Sequence, residues 1–211
     1  MSGILKQFWL IGRLLLLLPL MGCVASQATQ EIQQGRRALL IGNPEVAVQH
    51  FERAAAFDSK RASSPLGESA WTYLGRAYYD ARSYPSARQA FDRALIQNQD
   101  DDISRLYLGL IGAHERQDTP SHKQVQAGLQ GVYDRIDYIK RFTSAGEFWD
   151  PSNQLTAELL DLIKAVSAPQ VNWNNVIPRV EKLMLKIENE VDQAQRDEAT
   201  HYRGGSDGGD M

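Results

Sequence analysis

Between Glu68 and Asp101 the apolar and small residues recur at three- and four-residue intervals, the spacing of helices rather than strands. Leu74, Gly75 and Tyr78 fall on one face of a first helix, and Ala87, Phe91 and Ala94 share a face of a second. Gly75 and Ala87 carry little or no side chain, which lets the two helices approach closely. Tyr84-Pro85 lies at the joint, where proline suits the first turn of the second helix. The pattern recurs. Gly109 stands 34 residues after Gly75, with Leu108 and Gly112 in the places of Leu74 and Tyr78. Upstream, Gly35 is followed by Ala47, Phe51 and Ala54 at the offsets of the central copy, although Glu31 and Gln34 replace Trp71 and Leu74. Gly35 lies 40 residues before Gly75, which puts about six extra residues in the connector KRASSPLGE. The third copy keeps its first helix but has Ser121, Val125 and Gly128 where Ala87, Phe91 and Ala94 are expected. The chain therefore reads as two and a half copies.

Helical periodicity continues beyond them. Val125, Leu129, Val132, Tyr133, Ile136, Ile139 and Phe142 predict one long amphipathic helix from Pro120 to about Arg141, weakened by Gly128 and Gly131. SAGEFWDPSN interrupts it, and Asp150-Pro151 predicts a new start, with an N-cap acceptor and proline at the first position. Leu155, Leu159, Leu162, Ile163 and Val166 form its apolar face, and Ala168-Pro169 ends it. A last helix starts near Asn174–Pro178 with Ile177, Val180, Leu183, Met184, Ile187, Val191 and Ala194 on one side. On its other side Lys186–Glu190 and Asp192–Arg196 are expected as i,i+4 ion pairs, worth a few tenths of a kcal/mol each. No alternating strand pattern is evident, so the fold class is all-α.

Trp71, Leu74, Gly75 and Tyr78 spell W-x2-L-G-x2-Y, and Ala87, Phe91 and Ala94 spell A-x3-F-x2-A. Together they resemble the signature of the tetratricopeptide repeat, a helix–turn–helix unit that stacks into a solenoid. The resemblance implies a tetratricopeptide-type α-α superhelix of two to three repeats, capped by additional C-terminal helices. The repeats are placed at 28–61, 68–101 and, in degenerate form, 102–133. A C-terminal helical region follows over 134–203, then a disordered tail over 204–211. Such solenoids bind through the concave surface of their first helices. The resemblance puts Ile32, Arg36, Leu39 and Leu40 there from the first repeat. Thr72, Arg76, Tyr79 and Asp80 come from the second, and Leu106, Leu110 and His114 from the third. Arg36 and Arg76 would pair with acidic groups of a partner peptide, and Tyr79 and the leucines would supply apolar contact. Members that grip chaperone C-termini use Lys and Asn at defined groove positions. Ile32, Arg36, Tyr73, Ile103 and Tyr107 occupy those positions here, so chaperone-tail binding is not implied.

The N-terminus suggests a location. Lys6 and Arg13 precede LLLLLPLMGC, an apolar stretch about half the ~20 residues a membrane span needs, as in a secretory signal over residues 1–22. Leu20-Met21-Gly22-Cys23 resembles a bacterial lipobox, which implies cleavage before Cys23 and lipid attachment to its sulfur, with 23–27 as anchor and tether. Resembling lipoproteins with aspartate after the cysteine stay in the inner membrane. Val24 stands there, which implies the outer membrane, with the domain facing the periplasm.

Composition narrows the chemistry. Cys23 is the only cysteine, so no disulfide and no thiol nucleophile is available to the body of the protein. Without residues 1–22, 21 basic side chains face 26 acidic ones, a balance of −5 that argues against nucleic acid as partner. His50, His114, His122 and His201 show no HExxH spacing; His50 reads as a surface residue, and His114 and His122 flank a predicted turn as a weak metal pair. The Gly204–Gly209 run follows no strand and is no phosphate loop. Glu147 and Glu158 lie in a region too short for a lysozyme-like domain. The expectation is a non-enzymatic protein-interaction scaffold of the cell envelope without cofactor or metal, serving a secretion, pilus, outer-membrane or peptidoglycan machine. The alternative is a glycan- or small-ligand-binding protein with a closed apolar pocket around Trp149 and Trp173.

Overall fold

The computed structural model describes the backbone of residues 18–57, 64–115 and 119–206, with side chains from Gln27 to Arg203 within those stretches apart from Thr119. Among the described residues there are eight α-helices and no strand. Three antiparallel hairpins come first: α1 (Leu18–Leu40) with α2 (Pro44–Ala56), α3 (Ala70–Asp80) with α4 (Tyr84–Gln97), and α5 (Asp102–Glu115) with α6 (Thr119–Phe142). A 3-10 turn at Gly146–Phe148 leads to α7 (Gln154–Val166) and the long α8 (Trp173–Ser206). Most of the segment expected to act as a secretory signal, residues 1–17, lies outside the described residues, as does the Cys23 side chain; the backbone at Cys23 is part of α1.

The glycine spacing sets the hairpin packing. A Cβ at Gly35 would come within 2.5 Å of the Phe51 ring, and one at Gly75 would collide with Phe91. The third hairpin meets the same need with smaller residues on its second helix. Val125 takes the place of Phe91, and its backbone nitrogen comes so close that a Cβ at Gly109 would lie 2.6 Å away. Gly128 lies against the backbone of Leu106 in the same way. The missing Ala-x3-Phe-x2-Ala signature therefore marks a tighter helix pair, not a missing helix. α6 runs on to Phe142, so the boundary expected at 133 falls inside it.

Turn chemistry also repeats. Gly42 (φ +73°) ends α1, with Gly42 N–H donating to Leu39 O at 2.9 Å and Asn43 N–H to Ala38 O at 2.8 Å. Forty residues later Arg82 holds the same left-handed position (φ +60°), with Arg82 N–H and Ser83 N–H donating to Tyr79 O and Tyr78 O. Asn43 and Pro44 start α2, and Ser69 and Thr72 cap α3 reciprocally.

Asp150 and Pro151 do not begin α7. The helix starts at Gln154, and the buried Asp150 caps it from a distance, accepting from Leu155 N–H at 3.0 Å and Thr156 N–H at 2.9 Å. Burial opposes its charge. The bonds from Thr156 and Leu155 and the Lys140 ammonium nevertheless hold its carboxyl below the ordinary range.

Candidate functional site

The first helices of the three repeats do line up the residues expected on the concave face, but that face is not open. Helix α8 lies along it. Arg36, Leu39, Thr72, Arg76 and Tyr79 are all buried, with Arg76 only 3% exposed. The expectation that these side chains face a free groove is thus corrected: the chain's own last helix engages Arg36, Arg76 and Tyr79, and Thr72 is held by Asp101.

The contacts are charged and specific. Glu188 of α8 sits between the two repeat arginines, accepting from Arg36 Nε and, at 2.6 Å, from an Arg76 terminal nitrogen. Arg76 also meets Glu68 at 2.5 Å, and Arg36 reaches Asp192 at 2.8 Å. Glu68 itself accepts from the Tyr73 hydroxyl at 2.9 Å and from Ser64 Oγ at 2.9 Å. At the third-repeat end, the Tyr79 hydroxyl donates to Glu181 at 2.7 Å, and His114 Nε2 lies 3.0 Å from the Tyr79 oxygen and 3.7 Å from Glu181. Thr72 does not face a ligand either: its hydroxyl donates to Asp101 at 2.6 Å, and Asp101 in turn accepts from Ser104 N–H at the start of α5.

Burial and neighbouring charge divide the two central carboxylates. For Glu188, burial raises the carboxyl pKa, but the Arg76 and Arg36 guanidiniums outweigh it and hold the group below its ordinary value. For Glu68 the burial penalty, reinforced by the Glu188 charge, prevails over Arg76 and pushes the carboxyl up. Like His114, Asp80 at the rim reaches solvent. Dense surroundings and Glu181 still push it up to about 6 against the pull of Arg76.

Helix α8 is a core element as well as a filler. Val176, Ile177, Val180, Leu183, Met184, Ile187 and Val191 are buried in one cluster with Leu129 and Ile136 of α6 and Leu159 and Leu162 of α7. Seven such side chains, at ~1.5–3 kcal/mol each, amount to roughly 10–20 kcal/mol of burial. A whole domain is stable by only about 5–15 kcal/mol. Lifting α8 out of the groove would expose an apolar face whose burial energy is comparable with the net stability of a domain. What remains of the groove is a cleft of about 330 Å³ at its mouth, lined by Leu39, Tyr79, Asp80, Arg82, Glu181 and Leu185 among others.

Other expectations are redirected by the same packing. The predicted pairs Lys186–Glu190 and Asp192–Arg196 are replaced by contacts with other elements: Lys186 with Glu158 of α7, Glu190 with Asp150 N–H in the connector before it, and Asp192 with Arg36 of α1. His114 and His122 do not converge, since His122 Nε2 binds the Val166 carbonyl oxygen. His50 is half-buried beside Glu31, 2.7 Å away, rather than free on the surface. Trp149 and Trp173 are buried in the core, so they do not form the ligand pocket of the alternative reading. Among the described residues no three His, Cys, Asp or Glu side chains gather as a metal site, and no helix is long and apolar enough to cross a membrane.

A family model described as the tetratricopeptide repeat matches residues 32–103 and 74–119. No curated protein and no solved structure matches the chain.

Proposed function

We propose that this chain, built on tetratricopeptide repeats, is a non-enzymatic scaffold of a bacterial cell envelope, lipid-anchored through Cys23 and binding protein partners on its outer faces. The repeat fold carries the general reading, because such stacks present rigid helical surfaces to other proteins. The internal occupation of the groove by α8 is the observation that moves the partner to the outside. The anchor rests on Leu20-Met21-Gly22-Cys23 and on the distance that follows it. Ala28, five residues after Cys23, is already buried in the first repeat. Five residues span at most about 18 Å even when extended, so a lipid on Cys23 would hold the repeats directly at the bilayer surface. With Val24 after the cysteine, that membrane is the outer one, and the partner belongs to an assembly of the envelope: a secretion, pilus, outer-membrane or peptidoglycan machine.

Labelled-palmitate incorporation in the wild type and in Cys23→Ser tests the anchor; equal labelling of the two removes it. Light crosslinking in the native envelope, purification of the full chain and mass spectrometry of what travels with it test the scaffold. A reproducible protein partner is expected. A chain recovered alone overturns the reading.

A further inference from the structure

The geometry points to a docking cleft on the outer side of α5 and α6 for an extended, arginine- or lysine-bearing apolar segment of a partner protein. The inference rests on the scaffold reading and names the surface and chemistry it would use. A cleft of about 510 Å³ opens between the connector before α3, the start of α5 and the middle of α6, and none of its lining residues belongs to α8. Ile103 and Val132 form a buried apolar floor with the half-buried Leu66 beside them. Gly131 lets the Asp102 carboxylate lie flat against α6, where a Cβ would collide with it.

Two features of the rim determine what fits. Asp134, Tyr138 and Phe142 follow one another at four-residue intervals along α6, a stripe roughly 12 Å long. The rings of Tyr138 and Phe142 lie 5.4 Å apart, 53% and 70% exposed, so a paired aromatic surface faces water at the end of the cleft. Aromatic residues are preferred anchors at interfaces, and this pair offers two such faces side by side. The second feature is charge. Asp100 makes no ion pair among the described residues, and Asp134 accepts only from the Gln130 amide at 2.8 Å. Arg105 is neutralised by Asp102 and donates to Gln99 O at 2.7 Å. Arg135, the one basic residue in the lining, turns its Nε to Pro65 O at 3.0 Å and forms no ion pair with Asp100 or Asp134. Three aspartates against one arginine in the lining, with Asp100 and Asp134 outside any ion pair, suit a guanidinium or ammonium that stacks on Tyr138 and pairs with Asp134, while a neighbouring apolar side chain enters over Ile103 and Val132.

Fluorescence anisotropy with a labelled nonapeptide of alternating Arg and Leu, against the same peptide with Glu for Arg, tests the chemistry on the full chain. The basic peptide is expected to bind and the acidic one to fail. Asp134→Asn/Tyr138→Ala should weaken binding roughly tenfold or more. Ile41→Ala/Glu45→Gln, which makes the same change of charge and also truncates an exposed apolar side chain elsewhere, should leave it unchanged. Equal losses in the two variants, or no binding of the basic peptide, overturn the inference. A photo-crosslinking amino acid at position 138 or, as a control, at exposed position 160 separates this from the scaffold reading. Capture of a protein from 160 but not from 138 removes the cleft and keeps the scaffold. Capture from neither, joined to a chain that purifies alone, removes both.

Discussion

Glu188→Ala tests whether α8 is locked in the groove by charge as well as by apolar packing. One carboxylate, itself buried, serves two guanidiniums that are equally buried, Arg36 and Arg76. Its removal leaves Arg76 with Glu68 alone and with a buried Nε that already lacks a hydrogen-bond partner. Arg36 keeps Asp192 and the Gln33 side chain, both toward the edge of the site. Breaking a buried pair from one side costs about 3–5 kcal/mol, because the partner charge stays out of water uncompensated. An exposed pair offers the contrast: Arg88–Glu115, at 2.7 Å with both side chains more than a third exposed, should lose under about 1 kcal/mol in Glu115→Ala.

Urea unfolding followed by far-UV circular dichroism measures both variants against the wild type. Glu188→Ala should lower the midpoint far more than Glu115→Ala, without loss of helix in the absence of denaturant. A Glu188→Ala cost no larger than that of Glu115→Ala would refute the reasoning, since α8 would then be held by its apolar stripe alone. The pH dependence gives a second check. The folded Glu188 carboxyl lies below its ordinary 4.5, so its stabilisation is present above that value and is lost as pH falls through the folded value. Glu68 is raised, so its contribution has the opposite sign: it is fully present below 4.5 and is lost as pH rises toward the folded value. Glu188→Gln should remove the acid-side loss, and Glu68→Gln the loss on the other side.

Three further outcomes follow from local geometry. Gly75→Ala should destabilise by about 1–3 kcal/mol through collision with Phe91, and Phe91→Leu in the same chain should cost less than it does alone, a coupling read from a double-mutant cycle in urea. Arg82→Gly should stabilise by about 1 kcal/mol by relieving a left-handed position that Gly42 already fills with glycine in the first repeat, and a lowered melting temperature would show that the Arg82–Tyr84 hydrogen bond at 2.9 Å matters more. Asp80→Asn should stabilise at pH 7.5 by about 1 kcal/mol after allowance for its solvent exposure. The gain should fade below pH ~4, because a carboxyl raised to about 6 favours the folded state only while protonated.

The residues that betray the repeats in the sequence do so because their work is local. Gly35 and Phe51, or Gly75 and Phe91, lie sixteen residues apart and meet within one hairpin, so spacing alone reports their contact. The third hairpin escapes the signature because it packs by backbone proximity, Val125 and Gly128 against Gly109 and Leu106, and small residues leave a weaker pattern than an aromatic ring. The filled groove was harder to read. Glu188 meets Arg76 across 112 residues and Arg36 across 152, and along α8 alone Glu188 and Asp192 look like an ordinary solvated edge. A signal did exist. An arginine follows the repeat glycine in both of the first two copies, at Arg36 and Arg76, and both belong to first helices whose inner faces an open groove would leave in water. Two arginines at one repeated position, with Glu181 and Glu188 seven residues apart beside the apolar stripe of the last helix, match a charged helix seated in a charged groove. Spacing gives that complementarity no address; burial does, by leaving Glu188 nowhere to place its charge except between the two guanidiniums. The groove arginines that a solenoid of this kind would offer to a partner are therefore neutralised from within. The recognition surface proposed above lies instead at the Asp134–Tyr138–Phe142 stripe, where two aromatic faces and a carboxylate outside any ion pair remain in water.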